Sequence, residues 1–192
     1  MSRPPYAPPW APRFDGHGDP QHEQPPDLTP RPAAASRTTI VEMMEIVHAN
    51  NAGNVHGGTI MRLVDTAAGI AAARHCRQRV VTVSMDEMSF LEPVYIGDIV
   101  HVQASVNDAF RTSMEVGVRV DVEPVLAGER RKVASAYLVF VAVDDVMRPS
   151  PVAPVVAETD EERRRQAQAR IRREQRLLRT AALRRAASEE GA

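Results

Sequence analysis

The sequence predicts an α+β domain in which an antiparallel sheet of about five strands curls around one central helix. Two patterns carry this prediction. Most residues from 59 to 75 are apolar or small, which is typical of a helix enclosed by other structure. Four later segments alternate apolar and polar residues with period two, and short turns join them: 79–90, 96–108, 111–123 and 129–144. The apolar face of such a sheet and an apolar helix can cover one another.

The remaining elements follow in chain order. A first strand is predicted over residues 38–47, and a polar turn over 49–58 leads into the helix. We therefore expect a strand, a buried helix and then four strands in a meander. Residues 158–187 are predicted to form a charged helix that lies, largely solvated, on a neighbouring surface, since their apolar stripe is thin.

Composition divides the chain into three parts. Residues 1–36 hold ten of the fifteen prolines and are predicted to be a disordered extension, so that order begins near Arg37. Residues 37–148 form the predicted domain, and residues 149–192 a linker followed by the charged helix.

Charge and cysteine content exclude several classes of function. The formal net charge is −1 and no apolar run is long enough to span a bilayer, so neither a nucleic-acid nor a membrane partner is predicted. Cys76 is the only cysteine, which rules out an internal disulfide and a cysteine zinc cage, and it is expected to be buried and inert. No metal site is predicted, and a cytoplasmic location fits best.

The stretch from residue 50 to residue 65 carries the chemistry. Backbone N–H groups at a helix start can hold an oxyanion, and a carboxylate with a nearby amide can activate water. Gly57 opens the predicted helix, whereas Asp65 lies eight residues further on, about 12 Å away at the helical rise. One reacting carbon cannot be within hydrogen-bonding reach of both residues of the same chain.

Three runs of the sequence resemble a known family. The runs G-N-V-H-G-G-T-I-M and D-T-A-A-G-I-A-A-A-R-H-C, and then V-V-T-V-S-M-D-E-M-S-F-L-E-P-V-Y-I-G-D, are similar to the cytosolic acyl-CoA thioester hydrolases of the hotdog fold. The resemblance covers residues 37–185. It implies a hotdog fold, hydrolysis of fatty acyl-CoA to free fatty acid and coenzyme A, and a homodimer that assembles as a trimer of dimers. No cofactor is implied, because coenzyme A is part of the substrate and product.

The resemblance also implies site residues. Asn50 matches the family's active-site asparagine, Asp65 its active-site acid, and Gly57 the glycine whose N–H points at the thioester carbonyl. Combined with the 12 Å separation, this predicts a site shared between subunits, with Asp65 buried. Asp65 either orients and deprotonates water or attacks the thioester directly to form an anhydride; the sequence leaves both routes open.

Further residues are candidates for binding substrate: His56, Gly58, Thr82, Arg111 and Ser113, with Arg130, Arg131 and Lys132 as additional candidates for the phosphates of coenzyme A. Two alternative functions stay open. One is a hotdog dehydratase that uses His56, and the other is a protein that binds or senses acyl-CoA without hydrolysing it. The sequence does not predict the preferred acyl chain length.

Overall fold

A computed structural model describes residues 25–189. The elements in chain order are β1 (Arg31–Pro32), a 3-10 helix (Ala33–Ser36), β2 (Thr38–Met43), a second 3-10 helix (Ile46–His48), α1 (Gly57–Cys76), β3 (Arg79–Phe90), β4 (Asp98–Ala109), β5 (Ser113–Pro124), β6 (Arg131–Val143), β7 (Val155–Val156) and α2 (Asp160–Glu189).

The main sheet has five antiparallel strands in the order β2-β4-β5-β6-β3, and α1 packs on its inner face. The inward residues of α1, such as Val64, Ala67 and Ala71, are fully buried against valines of β4 and β5. This confirms the predicted sheet wrapped around one helix. Within residues 25–189, no helix is long and apolar enough to cross a membrane.

The predicted four-strand meander is wrong in one respect. Only β4, β5 and β6 follow one another in the sheet, because β3 lies at the far edge beside β6 and β2 takes the place next to β4. Turn residues such as Glu92 and Pro93 indicate where a strand ends, but they do not specify which strand the next one joins. β3 is therefore an edge strand of the sheet.

Order also begins earlier than expected. The short strand β1 pairs in parallel with β7, and Ala33 and Ser36 are buried, so the boundary near Arg37 is too late. The expected linker is likewise packed, since Val152 and Val155 belong to the core. Proline content predicted disorder here, yet proline suits a short extended segment that is held by tertiary contacts. The prediction for residues 1–24 lies outside the described residues.

The charged helix α2 lies on the outer face of the sheet over only its first half. Arg170 contacts Asp108 at 2.9 Å, and Arg172 contacts the fully buried Glu115 at 2.6 Å. From Leu177 to Ser188 the helix is exposed. The expectation of a largely solvated helix therefore holds for the second half only, because ion pairs rather than the apolar stripe dock the first half.

The start of α2 has a reciprocal cap. The Thr159 hydroxyl accepts the N–H of Glu162 at 3.2 Å, while the Glu162 carboxylate accepts the N–H groups of Glu158 and Thr159. Burial acts to raise the pKa of Glu162, but these N–H groups and the Arg37 guanidinium hold that pKa below its usual value.

Glu162→Gln is therefore expected to lower the free energy of unfolding by about 1 kcal/mol at pH 7. Because the pKa is lower in the folded state, this stabilisation is complete above the usual glutamate pKa and is lost as the pH falls through the folded-state value. Urea unfolding at pH 7 and pH 3 measures the difference, which should shrink in acid. Glu161→Gln, at an exposed neighbour paired with Arg165, is the control; an equal loss there would contradict the capping role.

Candidate active site

Asn50 is held by the turn that precedes α1. Its side-chain oxygen accepts the N–H of Ala52 at 2.8 Å and that of Asn54 at 3.2 Å. Its backbone N–H donates to the carbonyl of Asn54 at 2.7 Å. These contacts fix the orientation of the amide, so the Asn50 NH₂ group is the part available to a ligand, and it can only donate.

His56 is the N-terminal cap of α1. Its Nδ1 accepts the N–H of Gly58 at 3.0 Å, which occupies that donor. The Gly57 N–H takes part in none of the hydrogen bonds found among residues 25–189. Of the two glycines, Gly57 is therefore the one with a backbone donor free to polarise a carbonyl.

Asn50 and Gly57 line one cleft. It has a volume of about 370 Å³, and its apolar walls include Ile60, Phe90 and Leu91. The Phe90 ring lies 3.6 Å from where a Cβ on Gly57 would be, so the ring closes directly over the helix start. Sequence reasoning missed Phe90 as a wall of the site, although it belongs to the S-F-L-E-P block that carries the resemblance.

Asp65 lies elsewhere on α1 and has a different partner. The hydroxyl of Thr82 on β3 donates to its Oδ1 at 2.8 Å. Asp65 is exposed in the single chain, so the prediction that its own chain buries it is wrong. Thr82, which the sequence suggested as a substrate-binding residue, instead orients the Asp65 carboxylate within the chain.

The structure thus brings the candidate residues together in two separate groups. Asn50, His56, Gly57 and Gly58 gather at the start of α1, whereas Asp65 and Thr82 lie two turns further along. Gly57 and Asp65 both belong to α1, so their separation of about 12 Å along the helix stands.

Arg111 and Ser113 join neither group. Arg111 lies in the turn before β5. Ser113 of β5 is opposite Val141 of β6, which in turn is opposite Val81 of β3, so Ser113 is two strand spacings from β3. That distance across the sheet is about 10 Å. Their proposed contact with substrate has no support from the contacts of the single chain.

His75 and Cys76 form no catalytic pair. Burial raises the pKa of the Cys76 thiol, and burial lowers the pKa of His75, whose Nε2 contacts the carbonyl of Ala153 at 2.8 Å. The thiol is thus kept protonated at neutral pH, as expected of an inert buried cysteine.

A surface with unusually exposed apolar residues surrounds Asp65. No residue of the twelve-residue strand β3 is buried, and the side chain of Val83 is 54% exposed. On α1, Met61 lies one turn before Asp65 on the same face of the helix and is 42% exposed. An edge strand with this composition is typical of a surface covered by another chain.

Comparison with known proteins agrees with this fold. The thioesterase superfamily matches residues 52–127. An uncharacterised acyl-CoA thioester hydrolase of Bacillus subtilis is 39% identical over 136 residues, which span 70% of this chain and 79% of that protein. The mouse cytosolic acyl coenzyme A thioester hydrolase is 33% identical over 73% of this chain, which spans only 38% of the mouse protein.

Solved structures match over most of the chain. An apo-hexameric acyl-CoA thioesterase is 35% identical, with a TM-score of 0.77 over 79% of this chain and 98% of that one. An acyl-CoA hydrolase of Staphylococcus aureus in complex with butyryl coenzyme A and coenzyme A is 31% identical, with a TM-score of 0.77 over 85% and 100%. The fold is that of a hotdog-fold thioesterase. Within that class, the chain belongs to the family of acyl-CoA thioester hydrolases.

Three variants of the Staphylococcus aureus hydrolase have also been solved, each with one residue replaced by alanine. The residues are an asparagine, an aspartate 15 positions later and a threonine 17 positions after that. Asn50, Asp65 and Thr82 have the same two spacings in this chain.

Proposed function

We propose that this protein hydrolyses fatty acyl-CoA to a free fatty acid and coenzyme A, at sites that two subunits build together. The observation that carries the proposal is the free Gly57 N–H beside the oriented Asn50 amide in an apolar cleft, with a Thr82-held carboxylate elsewhere on the same helix. The matching spacing in the Staphylococcus aureus variants supports the choice of these residues.

The proposed hydrolysis has two steps. Water attacks the thioester carbonyl carbon while Asp65 takes its proton, and the Gly57 N–H stabilises the oxyanion that forms. The tetrahedral intermediate then collapses, the carbon–sulfur bond breaks, and the proton returns from Asp65 to the leaving thiolate. The Asn50 NH₂ group donates to the water oxygen or to the thioester oxygen, because its own oxygen is engaged in the turn.

Pairing of two copies through β3 completes the site. Asp86 lies midway between Thr82 and Phe90 along β3, and Met61 lies midway between Gly57 and Asp65 along α1. An antiparallel arrangement about a two-fold axis near these midpoints brings Thr82 and Asp65 of one copy to the Phe90 and Gly57 end of the other. It also covers the exposed residues of both elements.

The assembly is a homodimer, grouped as a trimer of dimers. A hexameric thioesterase among the structural relatives supports this higher assembly. The protein acts in the cytoplasm, in fatty acid metabolism, as the name of the cytosolic mouse relative suggests.

Release of free thiol from short, medium and long acyl-CoAs tests the function. We expect turnover of at least one of them with kcat on the order of 1–10³ s⁻¹. Tight binding without thiol release would instead support a sensor, and hydration of an unsaturated acyl-CoA without thiol release would support a dehydratase. His56→Asn, which keeps a capping side chain, separates the latter, because a hydrolase should retain most of its activity.

A further inference from the structure

We propose that Arg176 of α2 is a positioning residue for the catalytic acid, acting through Asp86 and the bulged part of β3. The inference rests on the proposed function, since it assigns Asp65 the role of that acid. A continuous set of contacts supports it. Arg176 pairs with Asp86, Asp86 accepts the Ser84 hydroxyl at 3.0 Å, and two residues before Ser84 the Thr82 hydroxyl holds Asp65.

The register of β3 shows why this strand needs outside support. It pairs with β6, but the register shifts between Thr82 and Ser84 and again between Met85 and Glu87. Each shift leaves one residue of β3 without a partner on β6, and Asp86 is one of them. A bulge bends the strand and interrupts its ladder of hydrogen bonds, so the ladder alone defines this part of β3 poorly.

The first bulge also places Thr82 and Ser84 on opposite faces of the sheet. Thr82 is opposite Phe140, whose ring approaches Gly69 of α1 on the inner side of the sheet. Ser84 is opposite Val139, the next residue along β6, and therefore points to the outer side. Without the bulge, residues 82 and 84 would share a face, so the bulge allows Thr82 to reach Asp65 while Ser84 reaches Asp86.

The helix that supplies Arg176 is itself firmly anchored. One turn earlier, Arg172 makes hydrogen bonds to both oxygens of Glu115, which is fully buried and also accepts the Asn107 amide at 3.1 Å. The Arg172 guanidinium stacks 3.6 Å from the ring centre of Tyr137. Residues four apart on a helix share a face, so this anchor directs Arg176 to β3.

The Arg176–Asp86 ion pair is partly buried, so it can hold β3 in a fixed position relative to α2. The side chains are 23% and 16% exposed, in contrast to the exposed ion pairs at the start of α2. Partly buried charge pairs are less screened by salt, and loss of one partner leaves the other charge poorly solvated. The pair therefore holds the bulge, and the bulge holds Thr82 against Asp65.

The test uses the full-length protein and two readouts. Arg176→Gln and Asp86→Asn should each lower kcat about tenfold with little change in KM, because binding is intact but the acid is displaced. Hydrogen exchange of the amides in residues 79–90 should become faster. Arg176→Lys, which keeps the charge, should recover most of kcat.

Arg179→Gln is the matched control, since Arg179 is an exposed arginine of the same helix that makes no hydrogen bond or ion pair with the described residues of β3. It should change neither readout, and the mass of the assembly should be the same for all variants. Unchanged exchange in residues 79–90, a change in KM alone, or losses that follow a fall in assembly mass would overturn the inference. If the wild type hydrolyses no acyl-CoA, the proposed function fails, while the exchange measurement still decides whether α2 holds β3.

Discussion

Replacing Asp65 with alanine is expected to lower kcat for acyl-CoA hydrolysis by about 10²–10⁴-fold, the usual contribution of a general base. The variant removes the carboxylate that the Thr82 hydroxyl holds. Within the chain, loss of the hydrogen bond from Thr82 should lower the free energy of unfolding by only about 1 kcal/mol. Thiol release under saturating substrate measures the first effect and urea unfolding the second.

A second substitution separates proton transfer from shape. Asp65→Asn keeps an oxygen that can accept the Thr82 hydroxyl, but an amide cannot take a proton from water. It should lose nearly as much activity as Asp65→Ala. Activity close to wild type in Asp65→Asn would show that the residue only orients its neighbours. Asp160→Ala, at an exposed aspartate paired with Arg163, controls for loss of a surface charge.

The sequence predicted the elements of the fold well and their neighbours less well. Hydrophobic period distinguishes helix from strand, and the bounds of β3 at Arg79 and Phe90 were predicted to the residue. Strand order depends on long-range pairing, which leaves no local pattern, so the place of β3 beside β6 was missed. The docking of α2 was missed for a related reason, because it depends on single ion pairs such as Arg172 with Glu115.

For the site, spacing along one helix was the most informative signal. Asp65 follows Gly57 by eight positions, which predicted that one reacting centre cannot contact both, and in the structure the two residues lie two turns apart on α1. Exposure was predicted wrongly for Asp65, because an apolar helix indicates that a surface is covered without indicating whether the same chain covers it. Met61 on the same face of α1 is exposed within the single chain, so this face of the apolar helix is left for a second chain to cover.

Two inactive variants should therefore restore activity when they are combined. In a dimer of one Asn50→Ala chain and one Asp65→Ala chain, a shared-site arrangement leaves one site with both residues and one site with neither. Heterodimers isolated through two different affinity tags should have about half the wild-type kcat per dimer, whereas each homodimer is nearly inactive. Random mixing without separation should give about a quarter, because half of the dimers are then mixed.

A second heterodimer, with both substitutions on one chain, distinguishes shared sites from sites within one chain. A wild-type chain combined with an Asn50→Ala/Asp65→Ala chain carries the same number of substitutions per dimer, but each shared site then lacks one residue. This heterodimer should be nearly inactive. Sites formed within one chain require the opposite outcome for both combinations, with half activity in the second and none in the first. The two heterodimers thus place Asp65 either with its own Asn50 and Gly57 or with those of the partner, although along α1 it lies about 12 Å from its own Gly57.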